Sequence, residues 1–463
     1  MNGGPGAETT SLRATLEQAE WGPRDLTRAV NAWLSTRGRA SERIDATAAY
    51  PWVRLNYCPD NGIAAVVATV LTERLGRYVS AEALWPDHPR ARRVTTRMRS
   101  CGDQNIDEIV RSLDLLAAGA RPPALTSAEL TVAAIAGLRE PIAPPAGVRG
   151  RDRVQLAQAE LIAGHVAALR KLDDCQGGGA LSLRYVSREL GSVLDLIRCG
   201  SYEPDVGDIL LTSVADLTQL AGWMQFDSGA TDIAQRYLQL GIRVARAAGD
   251  KDRAMNNAGM LAYIAAEAGE GVNSLAIMDA AAQLPTTSRL LRARLAGRHA
   301  TAHAAVGDLH AFRAASENAQ ELLAASHRDH TQSYLYYLTP AQLDAEAGYS
   351  LVALAQRTDR HRSRLLMQAS QLLAPRAQMD GDQSYQRSAV LHGCQLTHVH
   401  LMLRDYDGAV AAARGAAALL PSVQSGRCVA KLRTLHKAFA RRRRSAVVAE
   451  FLPDLEETLQ ACT

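Results

Sequence analysis

Apolar residues recur along this chain at three- and four-residue intervals, the spacing that gathers them on one face of an α-helix. From Ser11 to Pro86 the pattern is interrupted at Gly22-Pro23, Gly38, Cys58-Pro59 and Leu75-Gly76, which predicts four or five short helices packed as a small bundle. The first runs from about Leu12 to Ala19 with Leu12, Leu16 and Ala19 inward. The second opens at Pro23 and points Leu26, Val30, Trp33 and Leu34 the same way. A third helix is expected to start at Asp45, a good N-cap. A fourth, from about Asn61 to Leu75, turns Ile63, Val66, Val67, Val70 and Leu71 inward, and Ser80 caps a last short helix through Trp85.

Beyond residue 86 the pattern weakens. Pro122-Pro123 and Pro141 to Gly150 read as linkers around one short apolar helix, Ser127 to Leu138. From Arg151 onward helical segments follow one another with Gly-Asp or Gly-Glu turns between them, and none alternates with the period of a strand. The clearest repeat begins at Arg404-Asp405-Tyr406-Asp407-Gly408-Ala409 and runs through Ala416 to Pro421, the pattern of the second helix of a tetratricopeptide unit. Weaker copies start at Gly229, with Ala234 five positions on, and at Gly271, with Ala276 five positions on; Gly307-Asp308 opens a less regular fourth. Short side chains at such positions let paired helices approach, and each hairpin then needs a neighbour to cover its apolar face. A helical bundle without repeats is the alternative. The predicted organisation is a helix-turn-helix-like domain at 11–86, a linker with short helices at 87–150 and a helical-repeat domain at 151–463, all-α throughout.

Composition agrees with helices: 47% of residues are hydrophobic but only 5% aromatic, so the apolar mass is chiefly Ala, Leu and Val. Charge is uneven. Residues 1–99 hold 14 arginines, no lysine and 10 acids, an excess equal to the +4 of the whole chain, so a polyanionic partner is expected at the N-terminal domain. Seven cysteines at 58, 101, 175, 199, 394, 428 and 462 form no CxxC pair, which argues against a disulfide framework or a zinc knuckle. Met1 to Thr10 lacks a basic and an apolar signal region, and no apolar run approaches about 18 residues, so a cytoplasmic protein without membrane contact is expected.

The segment Asp45-Ala46-Thr47-Ala48-Ala49-Tyr50-Pro51-Trp52-Val53-Arg54, with Leu71-Thr72-Glu73-Arg74-Leu75-Gly76-Arg77-Tyr78-Val79-Ser80-Ala81-Glu82-Ala83-Leu84-Trp85, resembles a family of actinobacterial regulators. Members combine a lambda-repressor-like N-terminal domain with a tetratricopeptide-like C-terminal region and include streptomycete negative regulators of differentiation and antibiotic production. Leu172-Asp173-Asp174-Cys175-Gln176-Gly177-Gly178-Gly179, Leu220-Ala221-Gly222-Trp223-Met224-Gln225-Phe226-Asp227 and Ala234-Gln235-Arg236-Tyr237 are also similar to blocks of that family. The resemblance implies a lambda-repressor-like helix-turn-helix bundle followed by a tetratricopeptide-like α-solenoid. It also implies a transcriptional regulator of differentiation or secondary metabolism that binds double-stranded DNA as a homodimer. The chain departs from the family where Leu55 replaces a glycine after Trp52-Val53-Arg54. Pro51 occupies a place where a polar or basic residue would face DNA, and it predicts a short or kinked recognition helix.

In that arrangement Asp45, Ala46, Thr47 and Tyr50 face base edges, Arg24, Arg39, Arg43 and Arg54 clamp phosphates, and Trp52 is core. The arginines between Arg90 and Arg99 suit either a tail along a phosphate backbone or a solvated linker, and Arg441 to Arg444 reads as an exposed turn. The repeat region is expected to form a groove for a peptide, protein or small-molecule signal, with Trp223, Phe226, Tyr237, Tyr263, Tyr334, Tyr336 and Tyr337 as candidate lining aromatics or core. The helical pairs His299/His303 and Cys394/His398, with His392 and His400 nearby, lack a third ligand at clear spacing. Neither a metal nor a cofactor is expected. GxSxG, GxxxxGK and a GxGxxG ahead of a helix are all missing, and the triple glycine at 177–179 reads as a loop, so no enzyme activity is expected. The rival reading is an adaptor whose first domain keeps its fold without DNA contacts and which sequesters a protein or peptide partner.

Overall fold

The computed structural model describes residues 11–36, 43–59, 63–75, 79, 81–86, 88–89, 91, 105–121, 125–140, 142, 152–326, 333–359, 361–378 and 385–462. Several positions named above lie outside the described residues: Gly38, Arg39, Asn61, Gly76, Ser80, Arg90 and the arginines at 92–99, Cys101, Pro122-Pro123, Pro141 and residues 143–150. The described chain is overwhelmingly helical and falls into two compact units, residues 1–104 with 125–136, and 105–124 with 137–463.

In the first unit α1 (Leu12–Ala19) starts at Ser11, whose hydroxyl accepts from the Ala14 amide. It ends at Glu20 in the left-handed region, and the Arg74 side chain donates to the freed Ala19 carbonyl at 3.1 Å. Helix α2 (Pro23–Thr36) opens on proline, with the Asp25 carboxylate accepting from the Gly22 amide. With α3 (Ala49–Arg54), α4 (Ile63–Leu75) and α5 (Ala81–Leu84) these helices enclose a core that includes Leu16, Val30, Trp33, Trp52, Val67, Leu71 and Trp85. The inward faces read from the spacing are therefore the ones buried.

The start of the third helix differs from the expectation. Asp45 does not cap it: Asp45 opens a turn over 46–48, and α3 begins at Ala49 with no side-chain cap. The cause is local, because the Asp45 carboxylate accepts from the backbone amide and hydroxyl of Thr47, two residues on, which favours a turn over a helical start. Pro51 then falls in the first turn, where a missing amide costs no intrahelical bond. The helix is short, six residues.

The residues expected as a linker are shared between the units. Helix α6 (Ile106–Ala117) belongs to the second unit, while residues 127–136 of α7 (Ser127–Arg139) belong to the first. The second unit continues with α8 (Leu156–Gln176) and α9 (Ala180–Cys199), both packed on the next helix, and then as hairpins: α10 (Pro204–Ser228) with α11 (Thr231–Ala247), and α12 (Lys251–Glu267) with α13 (Gly271–Ala282). These are followed by α14 (Arg289–Val306) with α15 (Leu309–Ala324), α16 (Pro340–Arg357) with α17 (Arg362–Ala377), α18 (Gln386–Leu403) with α19 (Tyr406–Leu419), and α20 (Gly426–Ala440) with α21 (Ala446–Ala461). Strand pairing among the described residues is limited to a two-residue parallel pairing of Asp152–Arg153 (β1) with Gly200–Ser201 (β2).

The Gly-Asp turns have a physical job. Gly307 takes a left-handed conformation at the end of α14, and Asp308 then caps α15 by accepting from the Ala311 amide at 2.9 Å. Asp250 and Asp405 cap α12 and α19 in the same way. Small residues sit at the close approaches: Ala234 and Ala409 are fully buried, and Ala416 packs on Gly393. The copy at Gly271 has a different register. Ala276 is only half-buried, and the small residues at the contact are Gly271, against the backbone of Ala305, and Ser274, whose hydroxyl donates to the Ala262 carbonyl.

Each even-numbered helix from α8 to α20 packs on the next even-numbered one, and the row does not end open: α8 also meets α18, and α10 meets α20. The loop at Gly177, Gly178 and Gly179 lies in this closure, against Gln424 and Met224, while Gly426 abuts the Ser228 carbonyl. A Cβ on Gly178 would stand 2.8 Å from the Met224 Cα, with backbone on both sides. Gly178→Ala is therefore expected to destabilise the second unit by roughly 1–3 kcal/mol, read as a lower urea midpoint. An unchanged midpoint would show that the loop has room to move.

Candidate functional site

Two places carry unspent chemistry, one in each unit. In the first unit, α3 is anchored by buried Ala49 and Trp52 and presents its other side to solvent. Arg24, Arg43, Asp45, Ala46, Thr47 and Arg54 are exposed and Tyr50 is half-buried. Asn31 of α2 holds the approach to this helix, since its side-chain amide donates to the Ile44 carbonyl and accepts from the Ile44 amide, each at 2.9 Å. Two of the expected base-facing groups are engaged with each other. The hydrogen bonds from Thr47 hold the Asp45 carboxyl below the usual carboxylate range and occupy the Thr47 hydroxyl. Arg54 stacks over the Tyr50 ring with its guanidinium carbon 5.8 Å from the centroid. Pro51, Leu55 and Tyr57 are exposed beside it, Leu55 by 78%.

In the second unit the even-numbered helices line a cavity of about 570 Å³. Of the candidate aromatics, Trp223, Tyr263, Tyr334 and Tyr337 line it. Phe226 does not: it lies behind Trp223 and Tyr263, at ring distances of 5.6 and 6.2 Å, with the Arg427 guanidinium 4.5 Å over its face. Tyr237 is core, wholly buried, and burial pushes its hydroxyl up to about 12. Tyr336 is exposed, and its hydroxyl donates to Asp174. Tyr349 and Tyr385 line the cavity and were not singled out in the sequence.

The aromatic reading also passed over what dominates the lining, which is a set of buried arginines. Arg387 of α18 donates to both oxygens of Asp173 on α8 at 3.0 Å and approaches Asp174 and Asp227 at 3.6 and 3.9 Å. One guanidinium thus joins the two ends of the array. Burial pushes the Asp174 carboxyl up to about 6 despite Arg387. Arg427 of α20 reaches Glu267 and the Tyr263 hydroxyl of α12 at 3.0 and 2.9 Å; burial acts to raise Glu267, but Arg427 and Lys431 hold it below the ordinary value.

On the opposite wall Glu346 of α16 accepts from Arg294, and Arg298 stands 3.6 Å away with its guanidinium 4.3 Å over the Tyr263 ring. Gln342 bridges this group to Arg376, donating to Glu346 at 2.8 Å and accepting from Arg376 at 2.7 Å. Beside them His392 is 5% exposed, with its ring edge-on to Tyr349, and neither ring nitrogen has a hydrogen-bond partner among the described residues. Burial, with Arg376 adding to it, pushes this imidazole down to about 3, so it is neutral at pH 7. A signal for these groups was present in the sequence. Arg294 and Arg298 stand four residues apart in one helix, which brings them to one face.

The histidine pairs have other partners. The His299 and His303 rings stack at 5.0 Å and His299 bonds Asp279, while His398 bonds Gln356. Among the described residues no group of three or more His, Cys, Asp or Glu side chains is placed to hold a metal ion, and no helix is long and apolar enough to cross a membrane. Residues 12–84 match the family model described as the SP15 N-terminal domain. No curated protein and no solved structure matches the chain.

Proposed function

We propose that this protein is a DNA-binding transcriptional regulator of the actinobacterial kind it resembles. Its lambda-repressor-like first domain binds double-stranded DNA as a homodimer, and its tetratricopeptide-like array receives a signal, without catalysis, in the cytoplasm. The observation that carries the reading is the pairing of an arginine-flanked, outward-facing short helix in one unit with a polar cavity in the other. For DNA, Arg24, Arg43 and Arg54 are exposed and would supply the phosphate contacts. For the signal, the inner helices of a stacked-hairpin array supply the concave face on which such arrays bind ligands.

The adaptor reading is kept because of one specific observation. Leu55, Pro51 and Tyr57 give the exposed side of α3 an apolar patch, which suits a protein surface better than a major groove. A gel shift with the full chain and its own upstream region, at two salt concentrations, separates the two. The regulator binds with an affinity that falls steeply as salt rises, and Arg43→Ala with Arg54→Ala weakens it while circular dichroism stays native. Salt-insensitive or absent binding to every genomic fragment favours the adaptor.

A further inference from the structure

We propose that the cavity of the second unit binds a small aromatic anion, a carboxylate or phosphate monoester, with its charge held by Arg298 and His392. This rests on the reading of the array as a signal receptor and names the chemistry of the signal.

The first argument is unspent hydrogen-bonding capacity. Arg298 is as buried as His392, and its carboxylate partner, Glu346, stands 3.6 Å away and is bonded on both oxygens by Arg294. A buried imidazole with both nitrogens unpaired is costly, and it lines the same cavity as Arg298, whose ion pair with Glu346 is long. An anion there would accept from the guanidinium fork and from an imidazole N–H.

The second argument is charge. The lining holds three more guanidinium and ammonium groups than carboxylates, and Arg376, tied to Glu346 through Gln342, lies on the His392 side. The third is shape. Trp223, Tyr263, Tyr334, Tyr337, Tyr349 and Tyr385 surround a space of about 570 Å³, suited to a planar ring. The ends of the array meet, through α8 with α18 and α10 with α20, so its inner face is not an open trough for an extended peptide. When the anion binds, the imidazole is stabilised in its protonated form and takes a proton from solvent.

The test is titration calorimetry on the full chain at pH 7, without DNA. The probes are benzoate, 1-naphthylacetate, phenyl phosphate and 1-naphthyl phosphate, each paired with the neutral amide or alcohol of the same ring, together with inorganic phosphate and an acidic heptapeptide. At least one aromatic anion is expected to bind with Kd below about 1 mM, and about tenfold or more tighter than its neutral partner. The carboxylate and phosphate arms show which head group the site takes. His392→Leu, which removes an unpaired imidazole and should fold at least as well, weakens the anion about tenfold and leaves the neutral compound unchanged. Arg298→Gln does the same, and Arg298→Lys restores part of the affinity. The proposal is overturned if no aromatic anion binds at about 10 mM, if anion and neutral partner bind alike, if folded His392→Leu binds as the unaltered chain does, or if the peptide binds most tightly. Because no DNA is present, a failed gel shift and a failed titration are separate outcomes.

Discussion

Replacing Arg387 with methionine is expected to lower the unfolding free energy of the second unit by about 3–5 kcal/mol. The guanidinium is the shared partner of Asp173, Asp174 and Asp227, and Asp173 and Asp227 are each 1% exposed. Methionine fills much of the space but leaves those carboxylates facing one another without their shared guanidinium, and Arg170 is the cation still acting on Asp173 and Asp174. The deficit depends on pH in a direction that can be worked out. Burial already raises Asp173 and Asp174 above their ordinary value of 3.8, Asp174 to about 6, so the folded state binds more protons than the unfolded chain. Stability therefore falls as pH rises from the ordinary carboxylate value through the raised one and levels off above it, and removing Arg387, which lowers both groups, extends the fall upward. The variant should be closest to the unaltered chain near pH 5 and furthest from it near pH 8. Arg387 also joins α8 to α18, so hydrogen exchange of α8 should accelerate more than that of α14. Equal protection of the two helices would mean that the contact does not hold the ends together.

Glu346→Gln is the second large effect. Burial acts to raise this carboxyl, but Arg294 and Arg298 outweigh it and hold the group at about 2 instead of 4.5. For a side chain only 12% exposed, that difference corresponds to about 3 kcal/mol of stabilisation. The shift is downward, so the contribution is complete above pH 4.5 and is lost as pH falls toward 2. Glutamine keeps the size and one acceptor but leaves two buried guanidiniums without a counter-ion. Urea unfolding from pH 7 down to pH 3 should show the variant less stable by about that amount at pH 7, with the gap narrowing as pH falls below about 4.5. A gap that is constant with pH would show that the ionised carboxylate is not what holds this wall.

Much of the helical framework was legible because it depends on neighbours in the chain. Spacing of apolar residues set α1, α2 and α7 to within a residue or two. Glycine followed by aspartate marked where helices of the second unit end and begin, because a left-handed residue and a side-chain cap are local requirements. The start of α3 was misread for an equally local reason: aspartate is both a helix cap and a turn former, and the Thr47 hydroxyl two residues on decides for the turn.

The sequence alone determined an all-helical chain, the inward faces of its first bundle and the presence of paired helices with close contacts at small residues. Only the tertiary structure decided that α8 and α10 return to α18 and α20, that Phe226 and Tyr237 lie off the cavity, and that Arg298 and His392 both face it, His392 with neither ring nitrogen paired among the described residues. Those facts join residues up to more than 200 positions apart, as Asp173 and Arg387 are. Helical periodicity fixes which side of a helix a residue occupies, but not which distant helix will lie against that side.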